Sequence, residues 1–213
     1  HAEYFSQLIV QDHKGRMKPI HTLSRELMRK MSRKESLNGL NADQIILGMM
    51  VNSQDWNDVP MIKLGKHEKI LKALNAEGKF GAYNDFFTRE GEYIFRDEIR
   101  RAYGLQPIDR TVYEKELMKI DERINIASMV YSGRIFRIIP VPGDENNIWV
   151  SNHLAGHGQE PIDQPVAERF FSTYIPVLRE AMQTNDYTLA DQILEELNGY
   201  QIQHGQSVIP GKT

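Results

Sequence analysis

The sequence DRTVYEKELMKIDERINIASMVYSGRIFRIIPVP, which runs from Asp109 to Pro142, decides the fold more than any other part of this chain. Its apolar positions recur at alternating spacings of four and three residues, which places them in one stripe along a helix. These positions are Tyr113, Leu117, Ile120, Ile124, Ala127 and Tyr131. We expect Asp109 to cap the helix and Gly133 to end it in the left-handed conformation. The pattern predicts a helix from Arg110 to Ser132, roughly 35 Å long, which is enough to cross a domain.

A β-strand is predicted directly after this helix. Residues Arg134 to Ile139 alternate in character and are rich in β-branched side chains, and Pro140 can stop a strand. Ile148 to Val150 would pair with this strand as a hairpin, across a polar turn. Within the helix, Asp121, Glu122 and Arg123 are predicted to form surface ion pairs. The helix and hairpin predict architecture and say little about chemistry.

A second hairpin and a helix are predicted near the beginning of the chain. Residues 5–11 are predicted to form a strand, and residues 16–18 its returning partner, with Gly15 in the turn. Thr22 is expected to cap a helix that continues to about Arg33.

Caps and apolar periodicity predict the remaining helices. Asn41 and Gln44 form a capping box before a helix that is apolar on all sides and should therefore be buried. Further helices are predicted at residues 66–74, 94–103 and 166–182, and from the cap at Thr188 onward. Pro176 predicts a kink or a split in the helix at 166–182. The predicted class is α+β, mainly α-helical, with helices packed around the long central helix and one or two small antiparallel β-hairpins. Residues 1–213 are predicted to form a single domain; if it divides, the parts are 1–150 and 151–213.

Composition excludes several kinds of function. The chain of 213 residues has no cysteine, so it cannot form disulfides, thiolate metal sites or a CxxCH haem attachment site. The sequence lacks a P-loop, a GxGxxG motif, a GxSxG elbow and an HExxH motif, so we predict neither an enzyme nor a metal site. No run approaches the ~18 consecutive apolar residues of a membrane helix. Because the sequence begins at His1, we expect a processed product or a fragment.

Charge is distributed unevenly along the chain. Residues 13–34 contain eight basic residues and one acidic residue, so this segment carries +7, and the net charge of −3 leaves −10 for the remainder. This distribution disfavours general nucleic-acid binding and favours local contact with an acidic group. Arg16, Lys18, His21 and Arg25 are the candidate site for a partner or anion, because they lie beside a predicted helix start. The alternative is a basic surface hairpin without a ligand.

Two histidines offer a further possibility. His153 and His157 are four residues apart, the spacing that brings two imidazoles together on a helix. Gly156, Gly158 and Pro161 instead predict a loop here. A haem-ligating role for His153 and His157 is the alternative to an ordinary polar loop.

A set of short motifs is spread along the chain: His1-Ala2-Glu3-x-Phe5, Val10-Gln11-Asp12-x-x-Gly15-Arg16-x-Lys18-Pro19-x-x-Thr22, Glu26-Leu27-x-Arg29-Lys30, Gly39-Leu40-Asn41-x-Asp43-Gln44, Val59-Pro60-Met61-Ile62-Lys63, Lys119-x-Asp121-Glu122-Arg123-x-Asn125, Val130-Tyr131-x-Gly133-Arg134 and Tyr200-Gln201. As a set, these motifs resemble the soluble segment of a known family, the large fused system II (Ccs/Res type) cytochrome c biogenesis membrane proteins.

The resemblance implies a location and a pathway. The segment would lie on the extracytoplasmic (periplasmic) face of the cytoplasmic membrane, between transmembrane helices of a multi-pass protein that exports haem and attaches it to apocytochromes c. The implied partners are apocytochrome c and the membrane portion of the same chain. We expect no cofactor in this domain, although haem is possible for the full-length protein, because the tryptophan-rich haem-handling motif is absent and Trp56 and Trp149 stand alone.

The expected function is thus non-catalytic positioning of apocytochrome c for haem attachment through protein contacts. The alternatives are a haem relay that uses the loop histidines and, less favoured, an enzyme whose site is assembled from distant residues.

Overall fold

The fold is predominantly helical. The computed structural model describes residues 1–151, 164–205 and 208, and of residues 164–168 only the backbone. The helices are α1 (Ala2–Gln7), α2 (Ile20–Ser32), α3 (Ala42–Val51), α4 (Ser53–Asn57), α5 (Glu68–Ala73), α6 (Arg96–Gly104), α7 (Val112–Tyr131), α8 (Gln164–Thr184) and α9 (Thr188–Gly205).

Short antiparallel strand pairs join these helices. The strands are β1 (Ile9–Gln11), β2 (Met17–Pro19), β3 (Ser36–Leu37), β4 (Leu40–Asn41), β5 (Ile62–Lys63), β6 (Phe80–Gly81), β7 (Ile139–Pro140) and β8 (Trp149–Val150), and they pair in the order β1–β2, β3–β4, β5–β6 and β7–β8. The predicted class, α+β and mainly α-helical, is confirmed. The described residues contain four such pairs, more than the one or two hairpins expected.

The long helix α7 forms close to where the sequence predicts it. Its start differs from the prediction, because α7 begins at Val112 and Asp109 does not cap it. Glu114 instead accepts hydrogen bonds from both the hydroxyl and the backbone N–H of Thr111, the residue before the helix. Gly133 has the expected positive φ of 73° just beyond its end. The buried positions of its inner face are Leu117, Ile120, Ile124 and Ala127. The predicted stripe therefore does face the core.

Helix α3 is the most enclosed helix of the fold. Its predicted capping box is present, with the Gln44 N–H donating to the Asn41 side chain at 3.0 Å and the Gln44 side chain accepting from the Asn41 N–H at 2.9 Å. Gln44 is its only exposed residue. It packs against α1, α2, α4, α7 and α8, whereas α7 packs against α2, α3 and α6. A helix that is apolar on all sides is stable only in such a central position.

The strand predicted at residues 134–139 is wrong for most of its length. Only β7 forms, with Ile139 opposite Val150, so the predicted partner segment is correct. Within the described part of the chain, the residues before β7 are not paired with a strand, because the N–H groups of Phe136 and Ile138 donate to carbonyls two or three residues earlier. A single backbone bond, from the Gln11 N–H to the Arg137 carbonyl at 3.0 Å, ties them to β1.

A glutamine side chain completes the outer edge of β1. Gln201 of α9 is 1% exposed, and its carboxamide accepts from the Ile9 N–H at 3.1 Å and donates to the Ile9 and Ile138 carbonyls at 2.9 and 2.8 Å. The amide thus satisfies backbone groups that a neighbouring strand would otherwise pair. It links α9, β1 and the segment before β7.

The prediction of the N-terminal segment needs two corrections. Residues 5–11 do not form one strand, because residues up to Gln7 belong to α1, whose Phe5 is buried against the Phe136 and Tyr174 rings. Thr22 does not cap α2, which begins two residues earlier, directly after Pro19. The predicted hairpin itself is present, and Gly15 has a φ of 79° in its turn.

The last two helices also differ in detail from the prediction. Helix α8 is continuous through Pro176, so the proline does not split it. Helix α9 begins at Thr188, whose N–H and hydroxyl both donate to the Asp186 carboxylate, so Asp186 takes the capping position. Across the described residues, no helix combines the length and apolar character that crossing a bilayer requires.

Candidate functional site

The four residues predicted to bind a partner or anion lie together on one surface. Arg16, Lys18, His21 and Arg25, which we call the N-terminal basic surface, come from the β1–β2 hairpin and the first turns of α2. The hairpin leads directly into the helix, and the Ile20 N–H donates to the Leu8 carbonyl at 2.9 Å. The first N–H of α2 is therefore already used within the fold.

A buried carboxylate organises the hairpin turn of this surface. Asp12 accepts hydrogen bonds from the backbone N–H groups of Lys14 and Arg16 at 2.9 and 3.0 Å. Its Oδ2 also lies 2.8 Å from the Arg16 guanidinium and 3.2 Å from the Lys18 ammonium. Burial opposes ionisation, but the bonds from Arg16, Lys14 and Lys18 outweigh it and lower the pKa of Asp12 far below its ordinary value. The carboxylate is thus a fixed anion at neutral pH.

The rest of the N-terminal basic surface is paired in the same way. The further ion pairs are Lys18 with Glu26 at 2.9 Å and Arg25 with Glu35 at 2.7 Å, and the His21 Nδ1 is hydrogen-bonded to Asp43 at 2.7 Å. Every residue of the predicted site therefore has an internal carboxylate partner. The +7 charge of the segment is therefore partly neutralised in the fold by these ion pairs, although Arg16 keeps 66% of its side chain exposed.

The two histidines considered as haem ligands belong to a different part of the chain from this surface. His153 and His157 lie outside the described residues, so their predicted role stays a prediction. Among the residues that are described, no group of three or more histidine, aspartate or glutamate side chains is arranged to hold a metal ion.

The three charged residues predicted as surface ion pairs on α7 divide between core and surface. Asp121 is buried and accepts from the Tyr103 hydroxyl at 3.2 Å and from the Asn125 amide at 3.1 Å. Arg123 is also buried, and it donates to the Lys63 carbonyl. Only Glu122 matches the prediction, with a surface ion pair to Lys30 at 2.7 Å. Adjacent charges on a helix point in different directions, so a single interpretation could not fit all three.

Next to Asp121, the sequence reasoning missed an open groove between α6 and α7, which we call the α6–α7 groove. Its volume is about 400 Å³. The uncharged side chains that line it are Tyr103, Pro107 and Met118, and the basic ones are Arg110, Lys115 and Lys119. None of these three cations forms a salt bridge within the part of the chain that the structure describes.

The sequence did contain a signal for this groove. Lys115 and Lys119 are one helical turn apart on the face of α7 opposite its apolar stripe, and Arg110 stands just before the helix. Most amphipathic helices have basic residues on their solvated face, so the pattern does not distinguish a groove from open surface. The α6 side chain that closes the groove, Tyr103, is brought there only by tertiary packing.

Fold and surface together define a class, a mainly helical α+β domain with one neutralised and one unneutralised basic region. No family model matches the chain. The chain is 34% identical over 215 residues to Protein NrfI of Wolinella succinogenes, an alignment that covers 98% of this chain and 23% of NrfI. The chain thus spans about a quarter of the length of this relative.

Proposed function

We propose that this chain is a non-catalytic extracytoplasmic domain of a cytochrome c biogenesis membrane protein. It helps to position apocytochrome c for haem attachment through protein–protein contacts. The observation that carries this proposal is the 34% identity to NrfI along 98% of the chain, because the relationship to NrfI suggests a role in cytochrome c maturation. The resemblance to the fused system II proteins points to the same pathway. Since the chain spans 23% of NrfI, haem export and haem ligation are assigned to other parts of the full-length protein.

The structural roles of the motif residues support a scaffold for binding. Asp12, Gly15 and Arg16 build the hairpin turn, and Asn41 and Gln44 cap the central helix. These residues of the quoted motifs hold backbone in place. A rigid scaffold that presents a partner surface fits this use of charged and polar residues better than a reactive site does.

The proposal is tested by photo-crosslinking in cells that mature cytochrome c. The full-length protein would carry a photoreactive residue at exposed positions of this segment, one in the N-terminal basic surface (Arg16) and one in the α6–α7 groove (Lys115). We expect crosslinks to apocytochrome c from at least one position. Cells that express no apocytochrome c provide the control.

The outcome that contradicts the proposal is equally definite. If no exposed position of the segment crosslinks to apocytochrome c while cytochrome c matures normally, the docking role is wrong. The role of the N-terminal basic surface has its own test. If Arg16→Ala/Lys18→Ala leaves cytochrome c maturation unchanged, this surface is not the contact.

A further inference from the structure

We propose that the α6–α7 groove is the docking site for an acidic segment of a partner polypeptide. The groove would hold two carboxylates of an extended segment, with an uncharged side chain between them. The identity of the partner rests on the function proposed above, whereas the chemistry of the groove stands on its own residues.

The groove has the size of a peptide site. A volume of about 400 Å³ accommodates a few side chains. Pro107, Met118 and the half-exposed ring of Tyr103 give it an apolar contact area, and basic residues lie beside that area. This combination suits a segment that alternates acidic and apolar residues.

The charges of the groove are not used inside the fold. Arg110, Lys115 and Lys119 have no carboxylate partner among the described side chains, which are those of residues 1–151, 169–205 and 208, whereas Arg16, Lys18 and Arg25 are ion-paired and His21 is hydrogen-bonded to Asp43. Glu122 is the acidic residue in the lining, and Lys30 holds its carboxylate at 2.7 Å. The whole chain carries −3, so three cations without an ion pair among the described residues form a locally positive area that attracts an acidic segment.

A buried donor gives independent evidence for an acceptor. The Nε of Arg110 is buried and has no hydrogen-bond partner among the described residues. By contrast, the Nε groups of Arg16, Arg25 and Arg137 each donate to an oxygen at 2.8 to 2.9 Å. A buried donor without an acceptor is unfavourable, so a carboxylate that reached Arg110 would relieve the cost.

The spacing of the two lysines indicates how the acidic residues should be arranged. Lys115 and Lys119 are four residues apart on α7, which separates them by about 6 Å along the helix axis. In an extended chain, side chains at positions i and i+2 point to the same side and are about 6.6 Å apart. Two acidic residues separated by one other residue therefore match the pair of ammonium groups.

The test is a binding titration with the full-length protein in detergent. The probe is a fluorescent peptide of sequence Glu-Leu-Glu-Leu-Glu, and its matched control replaces each glutamate by glutamine. We expect saturable binding of the acidic peptide alone, weakened as salt concentration rises. Arg110→Gln/Lys115→Gln/Lys119→Gln should weaken binding at least about tenfold. Arg110→Lys, which keeps the charge and loses the Nε–H, should weaken it by a smaller factor.

A control variant separates site binding from general attraction. Lys14→Gln/Lys72→Gln/Lys79→Gln removes the same charge from three exposed lysines that form no ion pair among the described residues, and it should change binding less than about twofold. Equal weakening in both triple variants, or no saturable binding at all, overturns the groove proposal. If binding is absent while photo-crosslinks to apocytochrome c form at other positions, the groove proposal fails and the proposed function stands.

Discussion

The N-terminal basic surface and the α6–α7 groove contain the same kinds of cation in opposite electrostatic states. In the first, Asp12, Glu26 and Glu35 lie within 3.2 Å of the lysine and arginine side chains, and Asp43 is hydrogen-bonded to His21. In the second, no described carboxylate neutralises the three basic side chains. The first region has the higher density of positive charge in the sequence, and the second has more charge available to a partner.

The difference shows that a count of charges along the chain does not measure a binding potential. The partners of the N-terminal cations come from the turn before them, from the same helix and from α3. Ion pairs of this kind fix the hairpin against the helix. Lys115 and Lys119 lie on the outer face of α7 and Arg110 lies just before it, and none of the three is ion-paired with a described carboxylate. The cations of the first region are therefore engaged within the fold, and those of the second have no carboxylate partner among the described residues.

The largest expected loss of stability comes from removing the Gln201 amide, which supports β1 of the hairpin that carries the N-terminal basic surface. Gln201→Leu removes three hydrogen bonds to buried backbone groups of Ile9 and Ile138. We expect a loss of about 3 kcal/mol in the free energy of unfolding, measured with urea, because each unpaired group costs about 1 to 3 kcal/mol. Gln203→Leu, an exposed neighbour on α9, is the control and should change stability by less than about 0.5 kcal/mol. Similar losses for both variants would contradict the role of Gln201.

A somewhat smaller loss of stability is expected from a substitution within the N-terminal basic surface itself. Asp12→Ala removes the acceptor of two backbone N–H groups and of the Arg16 and Lys18 side chains. We expect a loss of about 2 kcal/mol, because the cations can turn to water while the turn N–H groups lose a charged acceptor. Asp97→Ala, whose side chain is 87% exposed, should stay within about 0.5 kcal/mol. If Asp12→Ala left the free energy of unfolding unchanged, the ion pairs of this surface would not stabilise the fold.

The pH dependence of stability distinguishes the two regions further. The pKa of Asp12 is lower in the folded state than in the unfolded chain, so its contribution is fully present above the unfolded value of about 3.9 and is lost as the pH falls below it. Wild type should therefore lose stability on acidification from about pH 5 to pH 2 more steeply than Asp12→Asn. Parallel curves from urea titrations at each pH would rule out this linkage.

The smallest expected effect concerns the groove. Arg110→Gln/Lys115→Gln/Lys119→Gln should change the free energy of unfolding by no more than about 0.5 kcal/mol, because surface charges without internal partners contribute little to stability. Thermal and urea unfolding would measure this. A large loss of stability would show that the groove cations are structural after all, and would erase the contrast between the regions.

Local signals in the sequence predicted elements well where a complete motif is present. The Asn41–Gln44 capping box, the apolar stripe of α7 and the positive φ of Gly15 all occur as expected. The sequence also contained a complete signal for the cap of α7, the capping box of Thr111 and Glu114. The prediction that Asp109 caps the helix missed it.

The errors arose where local turns and side chains distant in sequence take the place of the predicted partners. Residues 134–138 have the pattern of a strand, but the N–H groups of residues 136–138 donate to carbonyls two or three residues earlier. The Arg137 and Ile138 carbonyls accept from the Gln11 N–H and the Gln201 amide. The ion pairs of the predicted site likewise depend on Asp43 and Glu35, which the fold brings close. A single sequence gives residue types and spacing, and these contacts depend on tertiary packing.

The amide of Gln201 has a consequence for how this domain can meet other chains. An open strand edge is a template for strand addition and for aggregation. Here a helix side chain occupies the Ile9 N–H and carbonyl on the outer edge of β1, and the Arg137 carbonyl occupies the next N–H along. An extended polypeptide that approaches this edge of β1 finds the Ile9 N–H and carbonyl and the Gln11 N–H already engaged. Strand addition along β1 would first have to displace the Gln201 amide, so this edge favours recognition by side chains.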